Sequence, residues 1–234
     1  LEKGELVVGI SGNQPPLNAA SNDGEMIGLD ADIARSVGQG MNLKVRFARM
    51  PFPELLPALQ SGKIDMIISG MTMTAERNTK VAFIGPYFIS GKGILLKLDT
   101  VEMLKKAGLN SEKFHIATLK GSTSQAVVEQ QAPNANLSLA DSYDQAIEML
   151  LQDKVDAVIA DYPFCAYMAA RYTEKELVVG ETKLTIEPLG IAVREDALLI
   201  NALENHLGQL VLSGEMKDLQ DKWFRSRSWF EQLP

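Results

Sequence analysis

A single cysteine, Cys165, stands in this chain, so no intramolecular disulfide can staple the fold and the redox compartment is not legible from thiols. Histidine is almost as scarce. His115 and His206 lie far apart, and without a Cys/His cluster a transition-metal centre is not expected. Basic residues are outnumbered: 23 Lys and Arg stand against 30 Asp and Glu, a net charge of −7. They are scattered rather than gathered into a stripe, which argues against a nucleic-acid partner. No apolar run reaches the roughly 18 residues that span a bilayer. The chain opens LEKGELVVGI without the apolar stretch of a signal peptide, as expected of a mature protein or an excised piece of one. Motifs of common enzymatic chemistry are missing too: no G-x-S-x-G elbow, no P-loop and no complete dinucleotide fingerprint. Cys165 has no base near it in sequence and reads as a small buried hydrophobe. Asp30/Asp32 and Asp153/Asp156 read as helix or turn charges rather than as an acid–base pair.

What remains is ordinary globular composition. The 234 residues, 46% hydrophobic and 23% charged, suit one large domain or two lobes of about 100 residues each. ELVVGI (5–10) reads as a short buried strand and SGNQPPLN (11–18) as an irregular polar loop. After the turn signal SNDG, the segment GLDADIARSVGQGM spaces Leu29, Ile33 and Val37 as a helix does, with Asp30 and Asp32 in its first turn where the macrodipole favours them. NLKVRFARM (42–50) alternates like a half-buried strand, PELLPALQSG (53–62) is a helix ending at Gly62, and KIDMIIS is the next strand. This βαβα order predicts an α/β fold with mainly parallel strands. YFISGKGILLKL (87–98) offers two strand-like pieces that suit an extended crossover between lobes.

The second half starts over. FHIATLKGSTSQ (114–125) is a strand, then glycine and hydroxyls, then a helix from about residue 124. LSLADS is a short strand and turn, YDQAIEMLLQDKVDAVIAD (143–161) is helix then strand, and EPLGIAVRE (187–195) is a return segment. Two amphipathic helices and the aromatic tail WFRSRSWF follow. An internal repeat supports two lobes: LLPALQSGKIDMIISG (55–70) and AIEMLLQDKVDAVIAD (146–161) align at an offset of 91, pairing Lys63 with Lys154 and Asp65 with Asp156.

In open α/β sheets, ligands bind beyond the carboxyl ends of the strands. Four polar clusters fall at such ends: Ser11–Asn13, Ser69–Thr72 with Arg77, Gly121–Ser124, and Asp161. Arg77 is a fixed, planar cation suited to a carboxylate. The stretch at Gly121 precedes a helix start, where backbone N–H groups favour an anion. Asp161 adds a negative charge from the other half of the chain. The complementary ligand carries a carboxylate and an ammonium, the head of an α-amino acid. Each element also has a plainer reading. Thr74-x-x-Arg77 is how a helix start with a surface arginine looks, Ser122 or Ser124 suits an N-cap, Asp161 can cap the next helix, and Phe52 can be simple packing.

These stretches carry a family resemblance across nearly the whole chain. ELVVGI, GLDADIA, LLPALQSGKIDMIISGMTMTAERNTKVAFIGPYF, LKGSTSQ, KVDAVIADYPF and EPLGIAV are similar to the bacterial polar amino-acid-binding proteins of ABC importers, the extracellular solute-binding family 3. The resemblance implies two α/β lobes of the type II periplasmic-binding-protein fold, joined by two hinge strands and closing over a ligand in the cleft. Lobe 1 is expected at 1–90 plus 187–234 and lobe 2 at 91–186. By the same resemblance Arg77 grips the α-carboxylate with the backbone N–H groups of Thr72 and Thr123. Asp161, the Gly70 carbonyl and the Thr72 hydroxyl hold the ammonium, and Phe52 stacks on the ligand side chain. Asn13, Ser69, Met71 and Ser122 complete the candidate site. The family commonly has aromatics where Asn13 and Pro16 stand, so half of an aromatic sandwich is missing. Members that bind cationic amino acids often carry an acid near Ser11, which is neutral here. Lys120 would suit an acidic or amide side chain if it is not simply solvated. The pocket reads as polar and roomy.

The expected activity is therefore non-enzymatic: capture of a polar amino acid and delivery to a membrane permease, by a monomer in the periplasm or outside the cell, with or without a membrane anchor, and with no cofactor. Two alternatives stand beside it. One is the sensor domain of a receptor kinase. The other is a small-acid dehydratase on the same fold, which needs an acid or base beyond Asp161, and the sequence offers no clear candidate.

Overall fold

The computed structural model describes residues 4–180 and 183–234; residues 1–3 and 181–182 of the two expected lobes lie outside the described residues. The chain divides into two units, Leu1–Ile89 with Pro188–Pro234, and Ser90–Glu187. Ser90 and Glu187 thus group with the second unit.

The first unit begins with β1 (Glu5–Ile10), β2 (Asn13–Gln14), β3 (Asn18–Ala20), β4 (Met26–Ile27), α1 (Leu29–Gly40), β5 (Lys44–Arg49), α2 (Phe52–Gln60), β6 (Met66–Ile67), α3 (Ala75–Asn78) and β7 (Ala82–Ser90). The second carries β8 (Lys92–Lys97), α4 (Val101–Ala107), β9 (His115–Leu119), α5 (Thr123–Gln131), β10 (Asn136–Ala140), α6 (Tyr143–Leu151), β11 (Ala157–Asp161), α7 (Tyr162–Arg171) and β12 (Leu177–Val179). The chain then returns through β13 (Glu187–Val193), α8 (Ala197–Ser213) and α9 (Glu215–Phe224).

Each unit has a five-stranded sheet, in the orders β5-β1-β6-β13-β7 and β10-β9-β11-β8-β12. In both, three parallel strands (β5-β1-β6 and β10-β9-β11) are followed by an antiparallel neighbour, β13 or β8. The inner parallel strands β1, β6, β9 and β11 are mostly buried and read as apolar runs, whereas the edge strands β5 (KVRFAR) and β10 (NLSLA) stay partly exposed and carry polar residues. Every residue of β11 is buried. In the second unit Ile94, Phe114, Ile116, Val128 and Ile159 form one apolar cluster.

The repeat is geometric as well as sequential. The Asp65 N–H donates to the Val7 carbonyl at 2.8 Å, and its carboxylate accepts from the Val7 N–H at 2.8 Å. Asp156 does the same with His115, at 2.8 and 2.7 Å. The residue three earlier is left-handed in both, Gly62 at φ 75° and Asp153 at φ 56°. One helix–turn–strand unit has been built twice.

Two expectations are corrected. SGNQPPLN is not an irregular loop: it supplies β2 and the start of β3, which join β4 in a three-stranded sheet. Its buried backbone has to be paired, and Leu17 is wholly buried there. KIDMIIS contributes only Met66 and Ile67 to ladder pairing. The first-turn acids also do more than meet a dipole. Asp32 accepts from the Trp223 indole at 2.8 Å and pairs with Lys222 at 2.7 Å, tying α9 to α1. Asp30 is fully buried.

Candidate ligand-binding site

In the first unit, β1 and β6 run parallel in a register that pairs Gly9 with Ile67. Two residues further on, at the carboxyl end of each strand, Ser11 and Ser69 meet. The Ser11 N–H donates to Ser69 Oγ at 2.9 Å, and the two hydroxyls lie 3.2 Å apart. Ser11 Oγ donates to Asn18 Oδ1 at 2.9 Å, Asn18 Nδ2 to Asp30 at 2.7 Å, and the Tyr87 hydroxyl to the other Asp30 oxygen at 2.7 Å. This buried chain spends the Ser11 hydroxyl inside the unit. It anchors the strand exits from which the candidate residues hang.

Gly70 then turns the chain off the sheet at φ 59°. A Cβ there would come within 2.8 Å of Gln14 Oε1, so the position takes no larger residue without movement. Met71, Thr72 and Met73 run beside β13: the Met71 carbonyl accepts from Gly190 at 3.0 Å and the Met73 N–H donates to Pro188 at 2.8 Å. Thr72 is buried and bridges Leu189. Thr74 caps α3 through the Arg77 N–H at 3.2 Å, as the helix-start reading expects. The arginine side chain is not at the surface, however. Arg77 is 7% exposed; its Nη1 donates to the Thr72 carbonyl at 2.9 Å, and its Cζ lies 5.7 Å from the Phe52 ring centre. Phe52 opens α2 and is buried. Asn13, in β2, has a buried amide oxygen with no hydrogen-bond partner among the described residues.

The second unit holds the anionic residues. Asp161 ends β11 opposite Lys92 of β8. One of its oxygens accepts from Ser90 Oγ at 2.8 Å, and the other lies 3.1 Å from Lys92 Nζ. It begins α7 without capping it through its side chain. The same ammonium lies 3.1 Å from Glu187 Oε2. That oxygen also accepts from Thr123 Oγ1 at 2.6 Å, while Glu187 Oε1 accepts from Thr185 at 3.1 Å. Ser122 is an N-cap, accepting from Gln125 at 3.4 Å and donating to the Leu119 carbonyl at 2.6 Å. Thr123 is the first residue of α5, where backbone N–H groups point out of the helix end. Lys120 is exposed.

Two groups behind Asp161 feel its charge. Burial first, and then Asp161, pushes the Tyr143 phenol well above its ordinary value. The same causes, in the same order, push the Cys165 thiol up to about 12. That thiol is fully buried and is no nucleophile.

The sequence reading missed Lys92 and Glu187. Lys92 sits in a glycine-flanked crossover, and Glu187 is the lone acid at the head of the apolar run EPLGIAV. A single charge opening a strand that is otherwise buried is the signal that would have found Glu187.

Residues 6–226 match the family described as bacterial extracellular solute-binding proteins, family 3. The chain belongs to this family. The ABC transporter arginine-binding protein 1 of Escherichia coli (strain K12) is 30% identical, over 92% of this chain and 89% of that protein. A solved putative binding component of an ABC transporter from Wolinella succinogenes, complexed with lysine, superposes with a TM-score of 0.92 at 32% identity, covering 98% of this chain and 99% of that one. An ancestral arginine-binding protein bound to glutamine gives 0.88 at 32% identity, covering 95% and 99%. These relatives are named as binding proteins and not as enzymes. The family is extracellular, which supports a periplasmic location for this member. Among the described residues, no helix is long and apolar enough to cross a membrane.

Proposed function

We propose that this protein binds a free polar α-amino acid and presents it to the membrane permease of an ABC importer. The observation that carries the reading is the buried guanidinium of Arg77 at the exit of β6, held by a backbone carbonyl and an aromatic face rather than exposed at the surface. Such a cation suits the α-carboxylate, which it can grip through charge-assisted hydrogen bonds. The backbone N–H groups of Thr72 and Thr123 add to that grip. Asp161 takes the α-ammonium, with the Thr72 hydroxyl and the Gly70 carbonyl. Phe52 and Asn13 meet the ligand side chain, with Ser69, Met71 and Ser122 supporting the two half-sites. The relatives named for arginine, and those solved with lysine or glutamine, all concern polar amino acids of this kind. The protein acts as a monomer, free in the periplasm or anchored at the membrane.

A thermal-shift screen of the full chain against the twenty L-amino acids tests this. A ligand at about 100 times its Kd adds roughly 2.7 kcal/mol of stability, enough to single out the cognate compound. Arg77→Ala is expected to abolish the shift, because a bound carboxylate would lose its charge-assisted partner. Calorimetry showing the same affinity in that variant would reject the site.

A further inference from the structure

We propose that Glu187 is a positioning residue for the amino-acid head group, setting through Lys92 the charge that a ligand ammonium meets at Asp161. This inference rests on the amino-acid reading above. Glu187 opens β13 and Lys92 opens β8. The side chains of Lys92, Asp161 and Glu187 are 2%, 2% and 7% exposed, so water screens their mutual interactions poorly. Lys92 Nζ lies 3.1 Å from one oxygen of each carboxylate. One ammonium is thus divided between two carboxylates, and the three side chains together carry a single negative charge. Both Glu187 oxygens are held, one by Thr123 at 2.6 Å and the other by Thr185 at 3.1 Å. Thr185 also accepts from the Lys92 N–H at 3.0 Å, closing the ring of contacts. Glu187 therefore does two things. It draws half of the Lys92 charge away from Asp161, and it fixes Thr123 at the start of α5.

Without the charge at 187, Lys92 turns wholly to Asp161 and the cluster becomes neutral. A ligand ammonium would then compete with a buried lysine for one carboxylate. A ligand with an α-hydroxyl in place of the ammonium would lose much less. The cluster thus works as a discriminator of amino acids against hydroxy acids, and its strength follows the summed charge.

The test uses the full chain and the L-amino acid that most stabilises the wild type, together with the α-hydroxy acid of the same side chain. Calorimetry gives the affinity ratio of the pair. In Glu187→Gln, an isosteric change that keeps an acceptor for Thr123, the preference for the amino acid is expected to fall by about tenfold or more. In the double variant Lys92→Met with Glu187→Gln, Asp161 alone restores one negative charge, and the preference is expected to return to within about threefold of wild type. A role in packing alone predicts the reverse, with the double variant worse than the single. If the double variant does not fold, the ratio in Glu187→Gln decides by itself. An unchanged ratio there overturns the role of Glu187 and leaves the amino-acid reading standing. Failure of all twenty amino acids to stabilise the wild type overturns both.

Discussion

At the scale of single residues, the proposed site is a set of charges taken out of water. Burying an ion costs several kcal/mol unless partners offset it. Arg77 has the Thr72 carbonyl and the Phe52 ring, and Asp161 has Ser90 and Lys92. Gly70 makes the geometry possible in the first unit, because only a left-handed turn sends Met71 and Thr72 along β13. Gly70→Ala combines a disfavoured φ with a close approach to Gln14. It is expected to cost about 1–2 kcal/mol or more in urea denaturation, and to weaken ligand binding. Arg77, Gly70 and Thr72 could be proposed from the sequence because they follow an apolar strand directly. Glu187 was not, because its partners Lys92 and Thr123 come from two segments 95 and 64 residues away, brought beside it and its near neighbour Thr185 only by tertiary folding.

At the scale of elements, the doubled helix–turn–strand unit explains why both halves offer polar residues at equivalent strand ends. The aspartate that opens each strand is part of the sheet: its side chain takes a backbone N–H of the neighbouring strand. Asp65→Ala is expected to cost about 1–2 kcal/mol, since it strands the half-buried Val7 N–H. Asp156→Ala should cost less, because the His115 N–H is exposed and water can replace the carboxylate. Equal losses in thermal melts would contradict this account. The repeat itself was readable from residues 55–70 and 146–161. The small sheet of β2, β3 and β4 was not, because runs of two or three residues carry no period to read.

At the scale of the whole molecule, global stability should record the buried thiol. Cys165 titrates near 9.0 when unperturbed and is raised to about 12 in the folded state. Between those values the unfolded chain has lost a proton that the folded chain keeps, so stability falls as pH rises. The contribution is fully present below pH 9 and gone by about pH 12. Cys165→Ala should flatten this alkaline decline relative to wild type in denaturation curves taken from pH 8 to 11. An identical slope would show that the thiol is not held protonated. The native thiol should also resist alkylation at neutral pH and react after unfolding.

Local pattern by itself determined the α/β class, the order of most elements, the internal repeat and the strand ends where polar residues collect, because periodicity, turn residues and apolar runs act over a few residues. The family resemblance was carried by the same short stretches. Only the tertiary structure decided that Arg77 is buried beside Phe52, that the Ser11 hydroxyl is spent on Asn18 and Ser69, and that Lys92 is shared between Asp161 and Glu187. The physical reason is distance along the chain: charges 69 and 95 residues from Lys92 leave no periodic trace, and what they do to one another depends on burial that no local pattern encodes.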